Sequence, residues 1–247
     1  MDSAVARSIS VIMSAYNEAE RIESAVKTVK EKLKEHNFDY EILIFNDAST
    51  DETGKIADKL ASCDPKIKVF HNPKNMNLGY NFARGISLAS KTFSGLLPCH
   101  DLITTESYDY ILPALERADV VIAYIANPKV RPLSRRIVSW VNVSLLNLLF
   151  GFKLKYYHLN FYRTEILKNL PKSTQSYALM VELLVYSLAS GATYIEVPFW
   201  RKERQIGKSK AMRLKNISEI LKTYCRLFWR IRILKEKIDL KSFKENE

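Results

Sequence analysis

The sequence contains few cysteines, and they lack the spacing of a metal or disulfide framework. Only Cys63, Cys99 and Cys225 occur, each far from the next. Zinc sites need closely paired ligands, and disulfide-stabilised secreted domains need paired cysteines. The sequence therefore gives no zinc signature and indicates a protein of a reducing compartment.

Long apolar segments are also missing. The longest nearly apolar run, residues 137–150, would rise about 21 Å as a helix, whereas a bilayer core is about 30 Å thick. We therefore expect either a core helix or one that lies in a membrane interface, and no transmembrane segment. The N-terminus lacks the basic and apolar regions of a signal peptide, so no leader is expected either.

Neither an internal repeat nor a low-complexity linker is found in the 247 residues, of which 47% are hydrophobic. Such a chain can bury one substantial core. Its net charge of +11 is unevenly placed, because residues 201–247 hold 15 Lys/Arg and 6 Asp/Glu, a net +9. The body is nearly neutral and the C-terminal region is basic, which suits nucleic acid, an anionic membrane surface or an acidic protein.

Strand and helix patterns alternate along the chain. Short apolar or β-branched runs are separated by amphipathic patterns, and this order predicts an α/β fold with a mostly parallel sheet and right-handed crossovers. The predicted strands are residues 8–14, 40–45, 67–70, 95–98, 119–125 and 192–198. The predicted helices are residues 20–35, 53–62, 80–90, 108–117, 176–190 and 211–238.

An acidic loop follows the second predicted strand and precedes a helix. Asp47 lies at its start, and in an open α/β sheet ligands bind beyond the carboxyl ends of the strands. The Asp47 carboxylate could accept hydrogen bonds from a ring N–H or a ribose hydroxyl. The alternative is an N-cap loop, because Ser49, Thr50 and Asp51 are all good helix caps.

The last predicted helix, residues 211–238, is amphipathic and basic. Apolar residues recur every three or four positions, and the Lys and Arg residues lie largely off that stripe. Such a helix can lie on an anionic membrane, with Tyr224, Phe228 and Trp229 in the interface. The alternative is a helix that docks on the sheet and leaves a solvated basic face.

Four motifs occur in order between residues 8 and 212. They are Tyr-Asn-Glu at 16–18, Asp-Ala-Ser-Thr-Asp at 47–51, Asn-x-Gly at 77–79 followed by Ala83-Arg84, and Glu-Val-Pro at 196–198 followed by Arg204-x-x-Gly207-x-Ser209-Lys210. Together they resemble the family 2 glycosyltransferases, and the last motif resembles the branch that transfers sugars to dolichyl or polyprenyl phosphate. The resemblance implies a Rossmann-like GT-A domain, residues 1–210, with three α/β/α layers and a mostly parallel central sheet. The basic amphipathic helix and tail, residues 211–247, would follow it.

The resemblance also implies roles for individual residues. Binding of the nucleotide-sugar is expected from Ser14, Tyr16, Glu18, Phe45, Asp47, His100 and Asp101. A catalytic role is expected for Asp101, Arg204 and Lys210, and phosphate or acceptor binding for Arg135, Arg204, Ser209 and Lys210. Guanidinium groups suit bidentate phosphate contacts, and lysine acts as a point charge. Without the motif, Arg204 and Lys210 would be a solvated basic loop.

The chain departs from the family pattern at the metal motif. Where relatives have Asp-x-Asp-x-Gln, residues 99–103 are Cys-His-Asp-Leu-Ile. Asp101 would then hold Mg²⁺ or Mn²⁺, together with diphosphate oxygens and water. His100 suits Mn²⁺ better than Mg²⁺, and a plain hydrogen-bonding role is its simpler interpretation. Ser14 and Asn46 likewise replace a proline and an aspartate of the family.

The implied reaction moves a sugar from a nucleotide-sugar to a polyprenyl phosphate, with inversion, by a peripheral protein at the cytoplasmic face of the membrane. A phosphate acceptor is already anionic, so positioning and stabilisation of the diphosphate would provide the rate. A glycan or other hydroxyl acceptor is an alternative, with Glu182 or Asp101 as a loose candidate base. A non-catalytic nucleotide-sugar-binding module is a third hypothesis, and no nucleic-acid partner is expected.

Overall fold

The computed structural model describes residues 7–99, 103–155, 159–202 and 214–236, the side chains of 214–216 excepted. Its centre is a seven-stranded sheet in the order β3-β2-β1-β4-β6-β5-β7. Strand β6 is antiparallel to both β4 and β5, and the other strand pairs are parallel. The strands are β1 (Ser8–Ala15), β2 (Asp39–Asn46), β3 (Ile67–His71), β4 (Phe93–Pro98), β5 (Val120–Ile125), β6 (Leu159–Arg163) and β7 (Tyr194–Phe199).

Helices cover both faces of the sheet, which confirms the three-layer α/β/α prediction. Helices α1, α2 and α4 pack on one face, while α3, α6 and α7 pack on the other, where α5 and α8 complete the layer. The helices are α1 (Ile22–Glu35), α2 (Thr53–Cys63), α3 (Asn77–Leu88), α4 (Tyr108–Ala114), α5 (Leu133–Phe150), α6 (Thr164–Asn169), α7 (Ala178–Ala189) and α8 (Leu214–Phe228). Short 3-10 turns lie at 105–107, 115–117 and 128–130, and a π-helical turn, Trp229–Ile233, follows α8.

The central strands are buried on both sides, and each contains a continuous apolar stretch, residues 11–13 in β1 and 42–45 in β2. In β1, Ile9, Val11 and Met13 contact one helical layer, and Ile12 contacts the other. The same alternation occurs in β2, where Ile42 and Leu43 face opposite layers. A continuous apolar stretch is typical of a strand that is covered on both faces, so these two strands were the clearest predictions from the sequence.

Two elements were not predicted. Strand β6 and helix α6 both lie between residues 159 and 169, a range to which the sequence patterns assigned no element. The apolar helix α5 begins at Leu133, four residues earlier than predicted, because the residues that follow Pro132 continue the helix. No helix in the described part of the chain is both long enough and apolar enough to cross a membrane.

Helix α8 packs on the domain. Thr223, Tyr224 and Leu227 are buried, and the Tyr224 hydroxyl donates a hydrogen bond of 2.8 Å to Asn142 Oδ1 in α5. The expectation that Tyr224 contacts a membrane is therefore wrong, since its ring lies in the core. By contrast, Trp229 is 59% exposed.

Candidate active site

Loops from six strands meet at one edge of the sheet. Parallel strands place their carboxyl ends together, so the chain leaves β1, β2, β3, β4, β5 and β7 at this edge. Antiparallel β6 enters the sheet from the same edge. Ligands of open α/β sheets bind there. The first three motifs singled out in the sequence lie in or directly after these loops, which we call the carboxyl edge.

The first two motifs are joined by hydrogen bonds. The backbone N–H of Asn17 donates to Ser49 Oγ at 3.1 Å, and Thr50 N–H donates to Asn17 Oδ1 at 2.9 Å. Next along the chain, Glu18 N–H donates to Thr53 Oγ1 at 2.8 Å. Asn17 has a φ of 55°, in the left-handed region that asparagine tolerates better than most residues. The loops after β1 and β2 therefore form one unit.

Asp51 also belongs to this unit. Its Oδ1 accepts hydrogen bonds from the backbone and hydroxyl of Thr53, at 3.0 and 2.5 Å, and its Oδ2 accepts one from Ala19 N–H at 3.2 Å. Burial alone would raise the pKa of Asp51, but these hydrogen bonds outweigh it and hold the pKa below its ordinary value. Asp51 thus joins the start of α2 to the loop after β1, whereas the N-cap position of α2 is Glu52, which makes no side-chain cap hydrogen bond.

Asp47 anchors the loop between β3 and α3. Its Oδ1 accepts hydrogen bonds from Met76 N–H at 2.7 Å and from Asn72 Nδ2 at 2.8 Å, and its Oδ2 accepts one from Asn77 N–H at 3.1 Å. The side chain is 3% exposed. A carboxylate offers about four acceptor positions, so Asp47 retains capacity for one further donor, on Oδ2.

Asn72 is the centre of a buried amide network that the sequence analysis missed. Its Nδ2 donates to Asn81 Oδ1 at 2.7 Å as well as to Asp47, and its Oδ1 accepts from Arg84 at 3.3 Å. Asn81 in turn donates to Ser14 Oγ at 2.9 Å. The signal in the sequence was the density of asparagine between residues 72 and 81. Ser14, which replaces the family's proline, is held by this network.

Phe45 lies in the core, although a nucleotide-binding role was expected for it. Its side chain is fully buried and stacks on Phe70, with ring centroids 5.0 Å apart. The Arg84 guanidinium lies over the Phe70 ring at 5.2 Å. The Phe45 side chain therefore supports the carboxyl edge from below, while Tyr16 and Glu18 are only half-buried in the loop above it.

Asn46, which replaces an aspartate of the family motif, binds a histidine. Its Nδ2 donates to His71 Nδ1 at 3.0 Å, and His71 Nε2 lies 2.9 Å from Asp58 Oδ1. Because an amide N–H can only donate, Nδ1 of His71 is the acceptor, so the proton of the neutral ring is on Nε2 and points at Asp58. Asn46 is buried, and Asp58 is exposed.

The described residues of the metal motif point into the core. Cys99 is fully buried and Ile103 is 5% exposed, and both belong to the apolar cluster beneath α1 and α4. Burial raises the pKa of the Cys99 thiol, and the nearby Glu18 carboxylate raises it further. A neutral thiol and an isoleucine do not fit a Mg²⁺ or Mn²⁺ site. His100 and Asp101 lie outside the described residues.

The segments after β4, β5 and β7 are tied together at the carboxyl edge. Ile103 pairs with Arg201 in an isolated antiparallel bridge, and Thr104 N–H donates to Trp200 O at 3.1 Å. Asn127 exchanges two hydrogen bonds of 2.9 Å with the backbone of Arg201. This junction therefore fixes the backbone at Arg201, three residues before Arg204 in the sequence.

Of the expected phosphate-binding residues, Arg204, Ser209 and Lys210 lie outside the described residues. Arg135 is half-buried in the first turn of α5, where its backbone N–H donates to Pro132 O at 3.0 Å. Its role stays a prediction.

Glu182 is a structural carboxylate in α7. It is fully buried, and its two oxygens accept hydrogen bonds of 3.2 Å from the backbone N–H groups of Ser173 and Thr174. Arg226 of α8 adds a salt bridge of 3.1 Å to Oε1. This geometry does not favour Glu182 as a base for a hydroxyl acceptor, because a buried and fully partnered carboxylate does not face a substrate.

Comparison with known proteins agrees with this architecture. Residues 10–175 match the sequence profile described as glycosyl transferase family 2. An undecaprenyl-phosphate mannosyltransferase of Micrococcus luteus is 26% identical over 211 residues, which are 81% of this chain and 85% of that protein. A polyprenol monophosphomannose synthase of Mycolicibacterium smegmatis is 28% identical over 225 residues, which are 85% of this chain and 83% of that protein.

Solved structures show the same fold. Glucosyl-3-phosphoglycerate synthase from Mycobacterium tuberculosis, in complex with Mn²⁺ and UDP-glucose, has a TM-score of 0.62 at 18% identity, over 89% of this chain and 79% of that one. Mannosyl-3-phosphoglycerate synthase from Rubrobacter xylanophilus has a TM-score of 0.64 at 13% identity, over 95% of this chain and 77% of that one. With the profile match covering most of the chain, these findings establish that the protein is a glycosyltransferase of family 2 with the GT-A fold.

Proposed function

We propose that this protein transfers a sugar from a nucleotide-sugar to a polyprenyl phosphate. The observation that carries the proposal is that two relatives named for sugar transfer to a polyprenol carrier each align over more than four-fifths of the chain. The donor would bind at the carboxyl edge, where Tyr16, Glu18 and Asp47 lie in the joined loops after β1 and β2. Ser14 supports these loops through Asn81.

The proposed reaction depends little on general acid or base catalysis. A phosphate oxygen of the lipid attacks the anomeric carbon, the bond to the nucleoside diphosphate breaks, and the configuration inverts. Negative charge grows on the departing diphosphate, so cationic side chains near it lower the barrier. Arg204 and Lys210 are proposed for this role, with Ser209 and Arg135 as further phosphate contacts. The fixed loops of the carboxyl edge would provide the positioning.

The proposal includes a divalent metal ion on the diphosphate. The structure of glucosyl-3-phosphoglycerate synthase contains Mn²⁺ with a nucleotide-sugar. In this chain Cys99 and Ile103 do not fit a metal site, so Asp101 is the residue of the motif that would hold the ion. Mg²⁺ and Mn²⁺ accept such reduced protein ligation when phosphate oxygens and water complete the shell. His100 is proposed to bind the nucleotide-sugar rather than the metal.

Membrane association is proposed through two neighbouring elements. The outward side of α5 exposes Leu133, Ile137, Trp140, Val141 and Leu148, of which Trp140 is 70% and Leu148 81% exposed. Exposed apolar residues also follow α8, at Trp229, Ile233 and Leu234. Apolar residues next to arginines suit an anionic membrane interface, so we place the enzyme peripherally at the cytoplasmic face.

The decisive experiment is transfer of labelled sugar from a panel of nucleotide-sugars into organic-extractable polyprenyl phosphate. Assays would run with Mg²⁺, with Mn²⁺ and with chelator. Asp101→Ala and Lys210→Ala should lose transfer, while Lys208→Ala, the matched control in the same segment, should retain most of it. Label in a lipid phosphate product would identify the donor.

Two outcomes would replace the proposal. Donor turnover with label only in water-soluble glycans would favour a hydroxyl acceptor. Nucleotide-sugar binding without turnover under any metal condition would favour a binding module. Equal loss of sugar transfer in Lys208→Ala and Lys210→Ala would show that Lys210 has no specific role.

A further inference from the structure

Arg226 of α8 and Arg230 of the π-helical turn that follows it contact α7 at the same spacing. Arg226 Nη2 donates to Glu182 Oε1 at 3.1 Å, and Arg230 Nη1 donates to the Tyr186 hydroxyl at 2.7 Å. Both donors and both acceptors are four residues apart, so the contacts lie one helical turn from each other. Glu182 also accepts hydrogen bonds from the loop that precedes α7, and this loop contacts the start of α3.

The α6–α7 loop, residues 170–177, is held by Glu182. The Ser173 and Thr174 N–H groups point at the buried carboxylate, and the side chain of Glu182 has no solvent exposure. A buried carboxylate is stable only when it is paired and hydrogen-bonded. Arg226, whose side chain is 36% exposed, supplies the cation in contact with it. The position of α8 and the conformation of this loop therefore depend on one another.

The same loop presses on the start of α3. A methyl group added to Gly79 would lie 2.0 Å from Ser176 O and 2.6 Å from Gln175 O. Asn77, the first residue of α3, donates its N–H to Asp47 Oδ2 at 3.1 Å. A continuous set of contacts thus runs from α8 to the loops after β1 and β2.

We propose that Glu182 is a positioning residue that couples the docking of α8 to the α6–α7 loop at the carboxyl edge, with Arg226 as its partner. The consequence for sugar transfer rests on the proposed function, whereas the coupling itself does not. When α8 is seated, Arg226 stabilises the Glu182 carboxylate, which fixes the loop against α3. Loss of Arg226 leaves a buried charge with less compensation, and the loop loosens.

The test is amide hydrogen exchange at Ser173 and Thr174 in Arg226→Met and Arg230→Met. Both variants remove one positive charge from neighbouring turns, so any effect on attraction to anionic lipid is matched. Exchange of the two loop amides should be about tenfold or more faster in Arg226→Met, and within about twofold of wild type in Arg230→Met. The Ile42 and Ile44 amides of β2 provide the reference for global opening.

Unchanged exchange in Arg226→Met, or equal acceleration in Arg230→Met, would overturn the proposal. If the β2 amides also accelerate in Arg226→Met, Arg226→Lys replaces it, because lysine retains the charge. Loop exchange in Arg226→Lys should then be slower than in Arg226→Met. Loop exchange as fast as in Arg226→Met, with the β2 amides at the wild-type rate, would overturn the coupling. In the transfer assay, kcat/KM should fall about tenfold in Arg226→Met and recover partly in Arg226→Lys. Absence of transfer in wild type would refute the proposed function while leaving the exchange result to decide the coupling.

Discussion

The side-chain amide of Asn46 donates a hydrogen bond of 3.0 Å to Nδ1 of His71. This contact sets the tautomer of a histidine at the carboxyl edge, and it exists because an amide stands where the family motif has a carboxylate. The prediction for Asn46→Asp follows from it. The new carboxylate can only accept a hydrogen bond, so Nδ1 of His71 should carry a proton that it lacks in wild type.

Nitrogen-15 NMR of the His71 ring at neutral pH would measure which nitrogen carries a proton in wild type and in Asn46→Asp. In wild type it should be Nε2, which lies 2.9 Å from Asp58 Oδ1. A ring without a proton on Nδ1 in Asn46→Asp would contradict the prediction.

Asp47→Asn should loosen the loop between β3 and α3. The amide cannot accept all three hydrogen bonds that the carboxylate receives, and loss of a buried charged acceptor costs about 1–3 kcal/mol. We expect that decrease in unfolding free energy, together with weaker nucleotide-sugar binding by calorimetry. Asp39→Asn, at the exposed other end of β2, is the control. If Asp47→Asn binds the nucleotide-sugar with wild-type affinity, this carboxylate does not contribute to the nucleotide-sugar site.

Gly79→Ala should lower the stability of the protein, whereas a glycine-to-alanine change in a helix usually raises it. Alanine in a helix normally stabilises by about 1 kcal/mol relative to glycine. Here the added methyl would lie 2.0 Å from a backbone oxygen of Ser176, so the loop must move, at a cost of about 1–3 kcal/mol. Thermal unfolding measures the sign directly. A stabilised Gly79→Ala variant would show that the α6–α7 loop does not press on α3.

Glu41 should make the free energy of unfolding depend on pH. Burial alone would raise its pKa, but hydrogen bonds from Ser10, Ser90 and Lys68 outweigh burial and lower the pKa below the ordinary 4.5. A lowered pKa adds stability above the unfolded-state value, and that stability is lost as the pH falls through the folded-state value. Glu41→Gln should therefore be destabilised by about 1–3 kcal/mol at neutral pH and less so in acid.

Urea unfolding of Glu41→Gln at several pH values would measure this dependence. The exposed Glu31→Gln in α1 is the control, and its stability should follow wild type at every pH. A constant difference between wild type and Glu41→Gln across the acid range would contradict the pKa argument.

Trp140→Glu should weaken binding to anionic vesicles. Withdrawing a large exposed apolar side chain from an interface loses about 1.5 kcal/mol or more, which is about tenfold in affinity. Cosedimentation with phosphatidylglycerol vesicles would measure it. Tyr110→Glu changes an exposed aromatic on α4, across the sheet from α5, and should bind as wild type does. Equal loss in both variants would indicate a charge effect rather than an interface on α5.

Much of the fold followed from local patterns. Strands β1 and β2 and helix α1 have long, regular apolar periods, which are the strongest signals in a single sequence. Strand β6 gave no such signal, because Leu159–Arg163 is short and contains polar residues. Its antiparallel pairing depends on neighbours that are distant in the sequence, as does the burial of Tyr224.

The site was less accessible from the sequence. Motif spacing placed Asp47 at the carboxyl edge, but its partners Met76 and Asn77, at the start of α3, are about thirty residues away in the sequence. The core position of Phe45 was missed because an apolar residue at the end of a strand can point either way. The roles of Asp101, Arg204 and Lys210 stay predictions.

Helix α7 is buried on nearly every side, with nine of its twelve residues inaccessible between the sheet and α8. Glu182 contacts Arg226 of α8, and Tyr186 contacts Arg230 of the π-helical turn that follows α8. A chimera that took only α8 and this turn from a relative would break both pairs and leave the Glu182 carboxylate unpaired in the interior. Helix α7 and the segment that contacts it therefore need matched residues, and functional chimeras should exchange residues 178–236 together.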